Sequence, residues 1–250
     1  MTPLECLAVA GAGMVAGGMN AAVGSGTLVT FPVLLAVGYP PVIANVSNGI
    51  GLLPGSVAGA FGYRRELAGQ RTRALRLAIT TGFGAIVGAI LLLVLPADSF
   101  EAVVPVLILI AVVLVVLQPM IQRRLADRRD RPAHGGPLLL VGVFATGMYG
   151  GYFGAAQGVI LLALLGIALP EDLQRLNAVK NVTTATAYLV SGLVFVFVAD
   201  VAWLAVLLLA IGATIGGQLG ARYGRRLKPV WLRGLIVVVG LVAIAQLVLG

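Results

Sequence analysis

Carboxylates are scarce in this chain and missing from its apolar stretches. Nine acidic residues stand against 17 basic ones in 250, and only 10% of the chain is charged, where a soluble domain carries about 25%. Glu5, Glu66, Asp98, Glu101, Asp127, Asp130, Glu171, Asp172 and Asp200 all lie outside the apolar segments or at their ends. A buried carboxylate relay for protons is thereby excluded. A deep cation site would have to use hydroxyls and backbone carbonyls. The one cysteine, Cys6, allows no internal disulfide. The one histidine, His134, falls in a charged stretch, and no His, Cys or carboxylate cluster has metal-ligand spacing, so no metal and no cofactor is expected. No phosphate-binding P-loop is present, which argues against a primary pump without a partner ATPase. The opening "MTPLEC" has Glu5 and no basic residue, a poor signal peptide, so the first apolar segment is expected to stay in the mature protein.

Hydrophobic residues make up 60% of the chain. Apolar runs of about 18 residues or more read as membrane spans, and several occur. An all-α, multi-pass protein of the inner (plasma) membrane follows, in contact with the lipid bilayer and with no separate soluble domain. The net charge of +8 does not point to nucleic acid, because of where it sits. Three clusters of five residues hold nearly all of it: Arg64, Arg65, Arg71, Arg73 and Arg76; Arg123, Arg124, Arg128, Arg129 and Arg131; and Arg222, Arg225, Arg226, Lys228 and Arg233. Each cluster lies between apolar segments, as short basic loops retained in the cytoplasm do. Arg175 and Lys180 are the basic residues left over.

The helical segments run approximately 4–36, 43–62, 74–96, 101–118, 137–168, 175–198, 201–221 and 230–249. Segments 4–36 and 137–168 are too long for one crossing, since 33 residues would reach about 50 Å against a ~30 Å hydrocarbon core. Small residues interrupt both, in "GGMNAAVGSGT" and "GMYGGYFGAAQG". Gly17 aligns with Gly147 and Gly24 with Gly154, and Val46-Ser47-Asn48 with Val179-Lys180-Asn181. A tandem repeat is expected, 1–118 and 137–250, joined by a basic cytoplasmic linker at 119–136. The basic loops fall at 64–76 in the first repeat and at 222–233 in the second, which are not equivalent positions. Two repeats inserted in opposite senses account for this if each long segment is a re-entrant hairpin broken at its glycines, with the hairpin tips meeting inside the protein. The competing arrangement, eight plain spans in a parallel 4+4 repeat, leaves the 222–233 cluster outside.

The turn "GSGTLVTFP" at 24–32, the "GYPPVIANVSN" after it and the weaker second copy "GGYFGAAQG" resemble the sulfite exporter TauE/SafE family of membrane permeases. The likeness covers essentially the whole chain in length, span count and duplication. Where that family usually has a run of glycines, this chain has Gly24-Ser25-Gly26 and Gly154-Ala155-Ala156. The resemblance implies transport of a small anion, notably sulfite, a sulfonate or another sulfur oxyanion, usually outward.

The residues themselves point to an anion as well. Broken helices offer free N–H groups and a positive dipole end, and glycine lets a ligand come close to the backbone. The candidate binding residues are Gly24, Ser25, Gly26, Thr27 and Asn48 from the first half, with Gly154, Ala156, Gln157, Lys180, Asn181 and Thr184 from the second. Thr183 and Thr186 add hydroxyls. Each has a plainer reading: glycines as packing surfaces, threonines bonded to their own helix, asparagines as interhelical links. Gly13/Gly17, Gly55/Gly59, Gly84/Gly88 and Gly212/Gly216/Gly220 have small-xxx-small spacing and read as packing, and Pro32, Pro54 and Pro105 read as bends. Lys180 has three readings: snorkelling to the interface, pairing with Glu171 or Asp172, or lining an anion path beside the second turn.

A permease working by alternating access is therefore expected, not an enzyme. Assembly into a homo-oligomer is left open. Two other classes compete. An intramembrane enzyme would need a Ser25–Lys180 pair, as no base of the histidine kind is within the apolar segments. A membrane scaffold would have no use for broken helices.

Overall fold

The computed structural model describes residues 1–126, 136–223 and the isolated positions 234, 237, 238, 241 and 244. Among them it is all helical: α1 (Pro3–Ala22), α2 (Thr27–Ala36), α3 (Pro41–Gly62), α4 (Arg71–Val94), α5 (Ala97–Ala126), α6 (Pro137–Tyr152), α7 (Gln157–Ala168), α8 (Leu173–Val198) and α9 (Trp203–Tyr223). Five of these, α1, α4, α5, α8 and α9, are long and apolar enough to cross a membrane. The expected last segment, 230–249, and the second and third basic clusters lie largely outside the described residues. In the first cluster Arg71, Arg73 and Arg76 belong to α4, not to the preceding loop.

Both over-long segments are broken where small residues interrupt them, at 23–26 and 153–156. The two breaks have the same chemistry. Val23 and Gly24 both donate to the Met19 carbonyl, at 2.7 and 2.9 Å, and Phe153 and Gly154 both donate to the Tyr149 carbonyl, at 2.9 and 3.0 Å. Gly24 (φ +90°) and Gly154 (φ +76°) take the left-handed conformation that ends a helix this way and that a side chain resists.

After each break the chain doubles back. A Cβ on Gly26 would strike the Ala16 carbonyl on α1, and Tyr39, just past α2, donates its hydroxyl to Met1 Sδ at 3.3 Å. In the second pair Gly150 lies against the Gln157 side chain and Gly142 against Leu164, so α6 and α7 are antiparallel neighbours.

Glycine faces fix the helix pairings. Cβ atoms on Gly13 and Gly17 would meet the Leu209 and Ala213 backbone of α9, and those on Gly212 and Gly216 would meet Ala10 and Met14 of α1. The same reciprocity joins α4 to α6: Gly84 and Gly88 abut Phe144 and Met148, while Gly147 and Gly151 abut Thr81 and Ala85. Without a hydrophobic driving force between helices in lipid, such close backbone approach is what holds them. α1 is further fixed by a capping box. Thr2 Oγ1 accepts from the Glu5 amide and Glu5 Oε2 from the Thr2 amide, which gives the lone early carboxylate a structural role.

The α3–α4 and α7–α8 loops meet at one end of the molecule. Arg73 pairs with Glu171 at 2.7 Å, Gln70 Nε2 donates to the Arg175 carbonyl at 3.2 Å, and Arg175 Nη1 donates to the Ala68 carbonyl at 3.2 Å. The α6 and α7 ends join them there in one apolar cluster that holds Leu77, Leu139, Leu165, Leu169 and Leu176.

Candidate functional site

The two helix breaks touch. The Gly158 amide donates to the Gly24 carbonyl at 3.0 Å, and the backbones lie so close that a Cβ on either glycine would overlap the other. The surrounding contacts are apolar: Phe31 on α2 meets Phe153 edge-to-face at 5.2 Å, and Phe100 of α5 packs on the same ring at 6.0 Å. The result is a junction of two non-helical turns, one from each half of the chain, sealed from solvent.

Lys180 lies against this junction and is fully buried. Its stem passes Gly158, where an added Cβ would come within 3.1 Å of Lys180 Cδ. Its ammonium donates to the carbonyls of Asn20 at 2.8 Å and Ala21 at 3.3 Å, at the last turn of α1. Asn181 Nδ2 adds a bond to the Ala21 carbonyl at 3.3 Å. The end of a helix presents unsatisfied carbonyls and the negative end of its dipole. Lys180 and Asn181 of α8 are what the broken α1 uses there. Two of the sequence readings of Lys180 are thus corrected. It does not snorkel, because it has no exposed surface and its amine points to α1. It does not pair with Glu171 or Asp172, because Glu171 is taken by Arg73 and Arg175, and no described residue forms an ion pair with it. Its hydrogen bonds go to carbonyls, not to Ser25, so the geometry gives a serine–lysine nucleophile no support.

The other candidates divide into bonded and unbonded groups. The Gly26 amide is capped by Asn20 Oδ1 at 2.7 Å, the Gly24 and Gly154 amides are used by the helix ends, and the Gln157 amide bonds Gly154 at 3.1 Å. Thr27, Asn48, Thr30 and Tyr188 form a chain: Thr27 Oγ1 lies 3.1 Å from Tyr188 Oη, Asn48 Nδ2 donates to Thr27 Oγ1 at 3.3 Å, and Thr30 donates to Asn48 Oδ1. Thr183 and Thr186 bond carbonyls of their own helix. By contrast Ser25 Oγ, Thr184 Oγ1 and both amide atoms of Gln157 are buried with no partner among the described residues. The backbone amides of Ser25, Thr27, Ala155 and Ala156 likewise have no described acceptor. Ala156 holds φ +56° at the start of α7, a conformation uncommon for a residue with a Cβ.

Buried donors without acceptors are rare, because each costs about 1–3 kcal/mol. Such atoms occur elsewhere too, at Ser56, Thr81 and Gln118 for example, but Ser25 and Gln157 lie at the two joined turns and Thr184 lies one helical turn past Lys180, a lysine that no described carboxylate neutralises. Asn20 and Tyr188 belong to this constellation and were not singled out from sequence, while Gly158 closes the quoted "GGYFGAAQG". Asn20 sits inside the quoted "GGMNAAVGSGT", and Tyr188 is the one aromatic hydroxyl of α8, so a buried partner for it was an inferable need.

Among proteins of known sequence, the chain resembles a probable membrane transporter protein, YfcA, of Escherichia coli K12. The two are 26% identical over 94% of this chain and 86% of that one. A probable membrane transporter protein of Haemophilus influenzae is 27% identical over 94% of this chain and 91% of its own length. A third, ORF9 of a Sinorhizobium species, is 28% identical over 92% and 87%. No solved structure matches the chain. Together with the five apolar helices, these relatives identify a multi-pass transporter of the bacterial inner membrane. Residues 9–247 match the model of the sulfite exporter TauE/SafE family, and the chain belongs to that family.

Proposed function

We propose that this chain moves a small oxyanion, of the size and charge of sulfite or a short organosulfonate, across the membrane by alternating access around the Gly24–Gly158 junction. The observation that carries the reading is the set of unsatisfied buried donors there: Ser25, Thr184 and Gln157 side chains and the amides at 25, 27, 155 and 156, next to Lys180. Donors without acceptors suit a ligand that is all acceptor, and an oxyanion is one. In this reading Gly24, Gly26 and Gly154 let the turns fold tightly enough to bring those donors together. Asn48, Asn181 and Lys180 position the two turns and supply positive potential. The sealed junction corresponds to an occluded arrangement.

The same reading takes residues 1–118 and 137–250 as repeats inserted in opposite senses, joined by the cytoplasmic linker 119–136. Three observations support it. The breaks at 23–26 and 153–156 carry equivalent hydrogen bonds. Pairing of α1 with α9 is mirrored by pairing of α6 with α4, as exchange of the two halves requires. And the α3–α4 loop is bonded to the α7–α8 loop. Eight uninterrupted spans would put those loops on opposite faces of the membrane, whereas hairpins at α1–α2 and α6–α7 put both on the cytoplasmic face with the basic clusters.

Flux into proteoliposomes tests the substrate, with sulfite, sulfate, thiosulfate and a small sulfonate compared side by side. Saturable uptake of one or more, lost in Lys180→Ala at equal reconstitution, is expected. No flux of any anion, or flux indifferent to Lys180, rejects the reading.

A further inference from the structure

We propose that Glu171, Arg73 and Arg175 form the latch that closes the α3–α4 end of the transport path, and that this end must unlatch for the path to open there. Glu171, in the loop before α8, holds two guanidiniums at once: Arg73 Nη1 of α4 at 2.7 Å and Arg175 Nε of α8 at 2.5 Å. The side chains of Arg73 and Glu171 are only 14% and 18% exposed, so this is not a solvated surface pair. Such half-buried charged bonds count for more than exposed ones.

The latch joins the halves of the chain. Arg73 and Glu171 come from opposite sides of the 119–136 linker, and two side-chain-to-carbonyl bonds run with them, from Gln70 Nε2 to the Arg175 carbonyl and from Arg175 Nη1 to the Ala68 carbonyl. Gln70 Oε1 accepts from Arg73 at 2.7 Å, which aims the guanidinium. Beneath the latch an apolar plug fills the space on the way to Lys180: Tyr63 and Ala178 pack with Ala21, and Leu67 covers them. Lys180 is five residues beyond Arg175 on α8, about 7.5 Å along the helix. Parting the α8 end from the α3–α4 loop would therefore clear the approach to the junction. On its other side Arg73 lines a cavity of about 410 Å³ with Thr72, Arg76 and Leu139, which gives the released side chain room to move.

The opposite end is held differently. There the described hydrogen bonds between the halves are neutral, from the Ala202 amide to Ser47 Oγ at 2.9 Å and from Asn45 Nδ2 to the Tyr152 carbonyl at 2.8 Å, and no described ion pair joins them. The two ends thus have different closures, one ionic and one neutral. The latch biases the molecule toward staying shut at the α3–α4 end.

This inference rests on the alternating-access reading but is tested without any substrate. With Cys6→Ser as background, single thiols are placed at Ala178→Cys under the latch and at Ala44→Cys near the other end, both positions being fully buried. The variants are held in nanodiscs, where both faces meet a hydrophilic maleimide. Adding Glu171→Gln, and separately Arg73→Gln, is expected to raise the labelling rate at position 178 about tenfold and to lower it at position 44. Unchanged rates overturn the proposal. So does a rise at both positions, which is general loosening, and so does a rise at 178 alone, which is local fraying. Reciprocal labelling without anion flux would leave the latch standing and reject the substrate.

Discussion

The Gly158 amide bonds the Gly24 carbonyl at 3.0 Å across 134 residues of chain, and at these two glycines the helix breaks of the two halves touch. A Cβ at either position would overlap the other backbone, and Gly24 also holds φ +90°. Gly24→Ala and Gly158→Ala are therefore expected to force the turns apart. Each should lose stability by about 1–3 kcal/mol from overpacking and abolish flux. Thermal unfolding in detergent, read beside proteoliposome uptake, checks both effects. Native stability with native flux in Gly158→Ala would refute the contact.

Lys180→Ala removes the donor to the Asn20 carbonyl and leaves Asn181 alone on Ala21. Orphaning buried acceptors costs about 1–3 kcal/mol. The variant is expected to insert in the membrane but to transport at least roughly tenfold more slowly. Lys180→Met, which keeps the stem over Gly158 but not the bonds, should behave like Ala. If Lys180→Met transports normally, the ammonium has no role.

The glycine faces give a prediction about stability alone. Gly88 and Gly216 each meet a carbonyl of the facing helix, Met148 and Met14, far from the junction in sequence. Substitution to Val should separate the helices and lower the unfolding midpoint strongly. Gly11, with no atom within 4 Å of its would-be Cβ, should accept Ala without loss. Melting curves of the three variants compare them directly.

Glu171 lies outside the membrane segments and sets a pH dependence. Burial raises its carboxyl pKa, but the hydrogen bonds and charges of Arg175 and Arg73 outweigh that and hold it below the usual value of 4.5. A carboxyl depressed on folding stabilises fully above its unfolded pKa, and the contribution is lost as pH falls through the folded one. Unfolding midpoints should hold between pH 8 and about 5 and then decline. In Glu171→Gln the part of that decline due to this group should vanish. A decline of equal size in the variant assigns it to other carboxylates.

Much of the architecture was legible beforehand, for identifiable reasons. Segments 4–36 and 137–168 exceed a bilayer, and their glycines told where they break, because few other residues accept the left-handed turn that both adopt. Small-xxx-small spacing marked the packing faces, since a carbonyl can approach a helix only where side chains are missing. Lys180 was harder. From sequence its depth along α8 allowed snorkelling, and nothing local says that the end of a helix 160 positions earlier awaits its amine. Glu171 was weighed only as a partner for Lys180, because pairing of loops from different halves is a tertiary fact. The charged residues that act at a distance were thus the ones that pattern could not place. Helix ends shifted by a few residues for the same reason: Arg71, Arg73 and Arg76 begin α4, and a basic run reads as loop when only charge is counted.

The capping of α1 by Lys180 and Asn181 also orders events at the ribosome. The last turn of α1 leaves the exit tunnel long before α8 exists, and its glycine face has to wait for α9 as well. During synthesis the amino-terminal half is then a nascent intermediate with a bare helix end and an uncovered flank, dependent on the insertion machinery until its complement arrives. Expressed by itself that half should be degraded, and supplying the other half in trans should rescue it.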